Sequence, residues 1–206
     1  PAKALTIALV AGEASGDNLG APLLREVGRL NPGSKFIGIG GPNMIKEGLE
    51  SWVPIDRLSV NGFVDPLLRL PELLRILLAT RDRILSADVD CFVGIDFNFF
   101  NLILERMLKR RGVKTIHYVS PTVWAWRKGR IRSIARAVDL MLALYPFETD
   151  IYDQHGIPVR FVGHPKADEI DPEDGAAGKG AARVTLGYAE SDRVVAMLPG
   201  SRGSEV

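Results

Sequence analysis

Only one cysteine occurs in the 206 residues, so no disulfide can form within the chain. Cys91 sits in the apolar run Asp90-Cys91-Phe92-Val93-Gly94 and reads as a small buried hydrophobe in a reducing compartment. Long apolar runs are missing too. No 18-residue apolar stretch is present to span a bilayer, and the first residues lack the basic, apolar and small-residue order of a signal peptide, so the chain is read as not integral to a membrane. Charge of either sign is scarce in excess: 26 Lys and Arg against 25 Asp and Glu leave a formal net charge of +1, with no global pull toward nucleic acid. Any electrostatic function is therefore local. The three histidines, His117, His155 and His164, have no metal-ligand spacing, and the chain holds no P-loop, no G-x-S-x-G elbow and no catalytic cysteine motif. These absences count against NTPases, metallohydrolases and serine hydrolases.

What is there is an ordinary globular composition, 46% apolar and 25% charged, long enough to bury a substantial core. Short β-branched runs at Leu5–Val10, Lys35–Ile39, Cys91–Ile95, Lys114–Tyr118, Leu140–Leu144, Val159–Val162 and Val194–Leu198 read as buried strands, with segments of helical length between them. That alternation predicts an α/β fold with a doubly wound parallel sheet, whose ligands sit beyond the carboxyl ends of the strands. From Glu169 to Gly187 the composition shifts to Asp, Pro, Gly and Ala, which marks a boundary. The expected organisation is a first domain over residues 1–170, a linker over 171–190, and the opening strand of a second, incomplete α/β domain over 191–206.

The predicted loops carry the chemistry. After the first strand comes Gly12-Glu13-Ala14-Ser15-Gly16, which departs from a dinucleotide fingerprint by inserting a carboxylate that repels pyrophosphate. A carboxylate and a hydroxyl among small residues suit a neutral polyol such as a sugar, with Glu13 accepting from hydroxyls and Ser15 donating or accepting. The plainer reading is a helix N-terminus, with Ser15 or Asp17 as its cap. Gly38-Ile39-Gly40-Gly41-Pro42 is explained by a turn after a strand. Asp96 ends the run Phe92-Val93-Gly94-Ile95 at the predicted carboxyl edge, beside Phe97, Phe99 and Phe100, whose partial desolvation would make it a better base. A helix cap is the alternative for Asp96, with Asn98 and Asn101 as capping or hydrogen-bonding neighbours. Farther on, Arg127, Lys128, Arg130 and Arg132 follow a predicted cleft edge, where a cationic run is either a solvated face or a seat for a phosphate-bearing ligand. Trp124 and Trp126 stand two apart and so do not imply a stacking pair.

One segment breaks the pattern. In FVDPLLRLPELLRILLATRDRIL the residues Leu67, Leu70, Leu73, Leu74, Leu77 and Leu78 fall on one helical stripe, widened by Leu68 and Ile76 and framed by Arg69, Arg75, Arg81 and Arg83. It is either a core helix with snorkelling arginines or an interfacial helix resting on anionic lipid.

The segments LVAGEASGD, FIGIGGPNM, VGID, KTIHYVSPTVWAWR, FVGHP and LPGSRGSEV, in that order and over essentially the whole chain, resemble the lipid-A-disaccharide synthase family. These are inverting family-19 glycosyltransferases of the GT-B type, built of two facing Rossmann-like domains. The resemblance implies joining of UDP-2,3-diacylglucosamine to 2,3-diacylglucosamine 1-phosphate (lipid X), giving a β(1→6) disaccharide and UDP. It implies Asp96 as base for the acceptor hydroxyl and Arg202 as an essential catalytic group. On the acceptor side it implies Gly12, Glu13, Ser15, Asn101, His117, Ser120, Trp124 and Arg127; at the donor phosphate, Gly200, Ser201 and Arg202. Phe63, Leu67, Leu70, Leu73, Leu74 and Leu77 match a membrane-associating region. Neither metal nor cofactor is expected, because helix N-termini and cationic side chains suffice to stabilise departing UDP. Nucleic acid is not an expected partner. The implied location is the cytoplasmic face of the inner membrane, held peripherally on anionic lipid.

The chain departs from the family at two places. Where Ala or Ser, Pro, Asp and Phe usually follow the matching aspartate, it has Phe97-Asn98-Phe99-Phe100, and Asn61 stands where methionine is usual before Gly62. The uridine-binding half is largely missing from the 206 residues, so the chain alone, without a C-terminal domain or second chain, is not expected to turn over. Two other readings remain open at this point: a GT-B-like UDP-sugar epimerase, and a non-catalytic membrane-binding module.

Overall fold

A computed structural model of the chain describes residues 4–58, 69–121, 131–170 and 174–198. Two compact units emerge, Pro1–Pro165 and Lys166–Val206.

The first unit is a seven-stranded sheet of β1 (Thr6–Ala11), β2 (Lys35–Ile39), β3 (Leu49–Ser51), β4 (Cys91–Ile95), β5 (Thr115–Tyr118), β6 (Leu140–Ala143) and β7 (Val159–Phe161). Its strand order is β3-β2-β1-β4-β5-β6-β7, and every ladder is parallel. Because side chains alternate across a strand, β1 feeds two cores at once. Ile7, Leu9 and Ala11 pack with Ala21 and Leu24 of helix α1 (Ala14–Leu30), while Ala8 and Val10 pack on the opposite face with Ile76, Leu77 and Ile84 of α3 (Leu70–Ser86) and Phe100, Leu104 and Leu108 of α4 (Asn98–Lys109). A third cluster closes the far edge, where Ile131 and Ile134 of α5 (Ile131–Ala135) and Tyr152 of α6 (Thr149–Asp153) cover Met141, Ala143 and Val159. Cys91 lies half-buried in β4, its thiol pushed up to about 11 by burial, which leaves it a poor nucleophile.

Six of the seven expected strands form, and the short edge strand β3 is added. The expected seventh, over Val194–Leu198, does not form: Val195, Met197 and Leu198 are 85–87% exposed, and no described strand lies alongside to accept their backbone hydrogen bonds. Within this second unit, α7 (Lys166–Glu169) is followed by α8 (Asp174–Leu186), which covers much of the expected linker. Arg183 of α8 donates to the carbonyls of Glu190 and Asp192 at 3.3 and 3.1 Å, hooking the following loop back onto the helix.

Helix α3 separates two kinds of leucine. Ile76, Leu77, Thr80 and Ile84 face the sheet, whereas Leu70, Leu74 and Leu78 are 42%, 49% and 42% exposed and form an outward stripe at four-residue spacing. Leu77, expected at a membrane contact, is instead core at 5% exposure, and Leu73 packs against that core. The 100° advance per residue puts Leu77 about 100° from Leu78 and about 60° from Leu74, and within about 20° of the buried Ile84. Phe63 and Leu67 lie outside the described residues. No described helix is long and apolar enough to cross a membrane.

Candidate active site at the switch point

The strand order reverses between β1 and β4, and in an open parallel sheet the crevice at that reversal is where ligands bind. The loops leaving these two strands meet there. Ser15, on the first turn of α1, donates from Oγ to Oδ2 of Asp96 at 3.1 Å. Asp96 is half-buried, and its Oδ1 has no hydrogen-bond partner among the described residues and is not fully enclosed. Glu13 precedes the helix in an extended conformation (φ −143°, ψ 164°) and does not cap it through its side chain.

This arrangement stores backbone strain. Asp96 and Phe97 both take left-handed φ values, +50° and +47°, costly for residues with a Cβ and concentrated at functional sites. The Asp96 N–H donates to the Tyr118 carbonyl at 2.8 Å, closing the end of the β4–β5 ladder. Asn101 then clamps the turn: its amide Nδ2 donates to the carbonyls of Asp96 (2.8 Å), Val10 (3.1 Å) and Ile95 (3.3 Å), binding the ends of β1 and β4 together. Gly12 is required by the same turn, since a Cβ there would lie 2.3 Å from the Phe97 ring.

Several residues expected at the acceptor are placed beneath the crevice rather than on it. Asn101 and His117 are fully buried, and Ser120 is 7% exposed. His117 bridges Glu105 (Nδ1 to Oε1, 2.7 Å) and Asn98 (Nε2 to Oδ1, 3.1 Å), both on α4. Ser120 pairs with the Tyr152 hydroxyl at 2.7 Å, whose acidity burial pushes to about 12. Beside it the Glu148 carboxyl is raised by burial, against the Tyr145 N–H that it accepts at 3.1 Å. The physical reason is position: His117 lies within β5, where an alternate side chain must enter a core, and Asn101 is on the sheet-facing side of α4. Gly12 is also buried, with the Phe97 ring filling the place a Cβ would take. Trp124, Arg127, Gly200, Ser201 and Arg202 lie outside the described residues.

Asp17 takes a different part from the one expected. It is 2% exposed and accepts from the N–H groups of Gly41 (2.9 Å), Asn43 (3.0 Å) and Met44 (3.0 Å), capping not its own helix but α2 (Pro42–Lys46). That fixes the loop after β2, and with it a neighbouring cleft of about 360 Å³ lined by Gly40, Pro42, Ile45, Trp52, Val53 and Ile55.

Glu105 was not expected at the site, and Asn98 only as a capping or hydrogen-bonding neighbour of Asp96. A signal for them existed: Asn98, Asn101 and Glu105 recur at i, i+3 and i+7 of NFFNLILERMLK, on the side of the helix that also carries Leu104 and Leu108.

The lipid-A-disaccharide synthetase family matches residues 7–206 of this chain. The chain belongs to that family. Similar curated relatives are the lipid-A-disaccharide synthases of Cellvibrio japonicus (54% identical over 202 residues), Pseudomonas aeruginosa strain UCBPP-PA14 (51% over 205) and Methylobacillus flagellatus (51% over 201). The aligned stretches cover 98–100% of this chain and 52–53% of theirs, so the chain spans about half the length of the curated relatives it matches. A solved glycotransferase of kitacinnamycin is similar at 12% identity and a TM-score of 0.48, over 79% of this chain and 52% of that one, too weak a likeness to bear on function. Membership in the lipid-A-disaccharide synthetase family agrees with the parallel sheet and with the resemblance carried by LVAGEASGD and FVGHP.

Proposed function

We propose that the first unit is the acceptor-binding half of an inverting glycosyltransferase that joins UDP-2,3-diacylglucosamine to 2,3-diacylglucosamine 1-phosphate, giving the β(1→6) disaccharide of lipid A and UDP. The observation that carries this reading is the open Oδ1 of Asp96 at the switch-point crevice, with its other oxygen held by Ser15. A carboxylate so held takes the proton of the acceptor 6-hydroxyl as that oxygen attacks the anomeric carbon, and the bond to UDP breaks on the opposite face. Ser15 and Glu13 supply hydrogen-bonding groups for the sugar beside it.

On this reading Arg202, with Gly200 and Ser201, meets the donor phosphates and stabilises departing UDP without a metal. Trp124 and Arg127 contact the acceptor, and residues 191–206 open the UDP-sugar domain that follows the linker over 171–190. The exposed Leu70, Leu74 and Leu78 stripe supports peripheral contact with the cytoplasmic leaflet of the inner membrane, from which two acylated substrates are drawn. Phe63 and Leu67 extend that surface in sequence.

The test is transfer of radiolabelled sugar from UDP-diacylglucosamine to lipid X by the whole protein that carries this chain. Disaccharide formation lost on Asp96→Asn supports the reading; turnover near the unsubstituted rate removes it.

A further inference from the structure

Beneath the crevice runs a line of hydrogen bonds that the proposed base does not use. Glu105 and His117 are each 0% exposed, and Glu105 Oε1 lies 2.7 Å from His117 Nδ1. His117 Nε2 lies 3.1 Å from Oδ1 of Asn98, which is half-buried and opens α4 immediately after the strained turn. The line therefore leads from a fully buried acid to the rim beside Asp96. Room for it is made by Gly94, where a Cβ would stand 2.3 Å from Glu105 Oε1 and 3.0 Å from Asn101 Cβ.

A proton count fixes its direction. One proton stands between Glu105 Oε1 and His117 Nδ1, 2.7 Å apart, and Nε2, which faces the Asn98 amide oxygen, must carry another. An ion pair would bury two charges, and Glu105 Oε2 has no donor, an arrangement an ionised carboxylate tolerates poorly. Burial also pushes the Glu105 carboxyl up, against the lowering effect of His117 and Lys109. The acid therefore donates to Nδ1, and the remaining ring N–H, on Nε2, donates to Asn98 Oδ1. With its oxygen so engaged, Asn98 turns its amide nitrogen away; that nitrogen has no partner among the described residues and is not enclosed.

We propose that Asn98 is a further acceptor-contacting residue, donating from its amide nitrogen to an oxygen of the bound acyl sugar beside Asp96, with His117 and Glu105 as positioning residues that fix which way round the amide stands. The inference rests on the glycosyltransferase reading above. An amide left free to turn over presents an acceptor as readily as a donor. The buried pair removes that ambiguity by offering its oxygen side a committed N–H.

The experiment is steady-state transfer by the whole protein, with lipid X as the varied acceptor. Asn98→Ala should raise the acceptor KM about tenfold while kcat stays within about twofold, as loss of one uniform binding contact requires. Glu105→Gln, which keeps a neutral donor toward Nδ1, should retain the acceptor KM within about twofold, and Glu105→Leu should raise it as Asn98→Ala does. Nitrogen-15 NMR of the unsubstituted protein should show His117 as the neutral tautomer protonated at Nε2, a readout that stands even if the Leu variant fails to fold. An unchanged acceptor KM in Asn98→Ala, a raised one in Glu105→Gln, or His117 protonated at Nδ1 overturns the inference. Asp96→Asn run in parallel separates the two failures: its normal turnover defeats the glycosyltransferase reading itself, whereas its inactivity beside an unaffected Asn98→Ala defeats only the role of Asn98.

Discussion

Ser15 and Asp96, 81 positions apart in the chain, are joined by a 3.1 Å hydrogen bond across the crevice where the sheet order reverses. The bond ties the loop after β1 to the loop after β4 and leaves one carboxylate oxygen open. If Asp96 is the base, Asp96→Asn in the whole protein lowers kcat about 10²–10⁴-fold, the usual contribution of a positioned general base. Ser15→Ala, which removes only an orienting bond, lowers it about tenfold or less. Rates measured by disaccharide formation should fall in that order; equal losses would assign the hydroxyl a part in the chemistry itself.

The two kinds of leucine on α3 separate membrane contact from stability. Replacing Leu70, Leu74 and Leu78 together by Ser removes an exposed apolar stripe, and the whole protein should then lose most of its sedimentation with anionic liposomes at unchanged urea midpoint. Leu77→Ala empties a core site and should cost about 2–5 kcal/mol with little effect on sedimentation per folded molecule. Undiminished sedimentation of the triple Ser variant would make the stripe a protein-facing surface.

Much of the sheet was legible because its signal is local. The runs at Lys35–Ile39 and Cys91–Ile95 match β2 and β4 residue for residue, since a strand covered on both faces must be continuously apolar. Leu49–Ser51 carried no such signal, being three residues at an edge with Glu50 exposed. The same locality explains why Val194–Leu198 reads as a strand yet forms none here, since an apolar run is present but no described strand lies beside it. At the site, Glu13, Ser15 and Asp96 could be placed at the carboxyl edge because each follows a strand. Asn101, His117 and Ser120 were expected to meet a ligand, yet their residue types do not say whether a polar group faces a cleft or satisfies a core. Periodicity assigns His117 to a face of β5, but only the packing of α4 supplies Glu105 and Asn98 as its partners.

Asp17 illustrates how a carboxylate in a glycine-rich loop serves the fold. Its two oxygens accept three N–H groups at the start of α2, and it is 2% exposed. Asp17→Ala leaves those donors buried and should destabilise the protein by about 2–4 kcal/mol. Neighbouring Asn18, which is exposed and bonds only the Asn43 side chain, should tolerate Ala within about 0.5 kcal/mol. Urea unfolding of the two variants side by side checks the contrast; equal midpoints would mean that water reaches the α2 terminus when the carboxylate is removed.

The buried acid of α4 gives stability a pH dependence whose sign follows from its burial. Glu105 is raised from its ordinary value of 4.5 in the fold, chiefly because burial disfavours the charged form, with His117 and Lys109 opposing. Above pH 4.5 the unfolded chain releases this proton while the folded chain retains it, so the folded state binds more protons and stability falls as pH rises. The loss continues until the pH passes the raised folded value, at a slope of at most about 1.4 kcal/mol per pH unit. Glu105→Gln abolishes the titration without removing the donor to His117. Relative to the unsubstituted protein, the variant should therefore gain stability between pH 5 and pH 7.5, about a few tenths to a few kcal/mol, as read from urea midpoints at the two pH values. Parallel behaviour of the two proteins would mean that the Glu105 proton leaves the fold as readily as it leaves the unfolded chain, and the neutral Glu105–His117 pair would have to be given up with it.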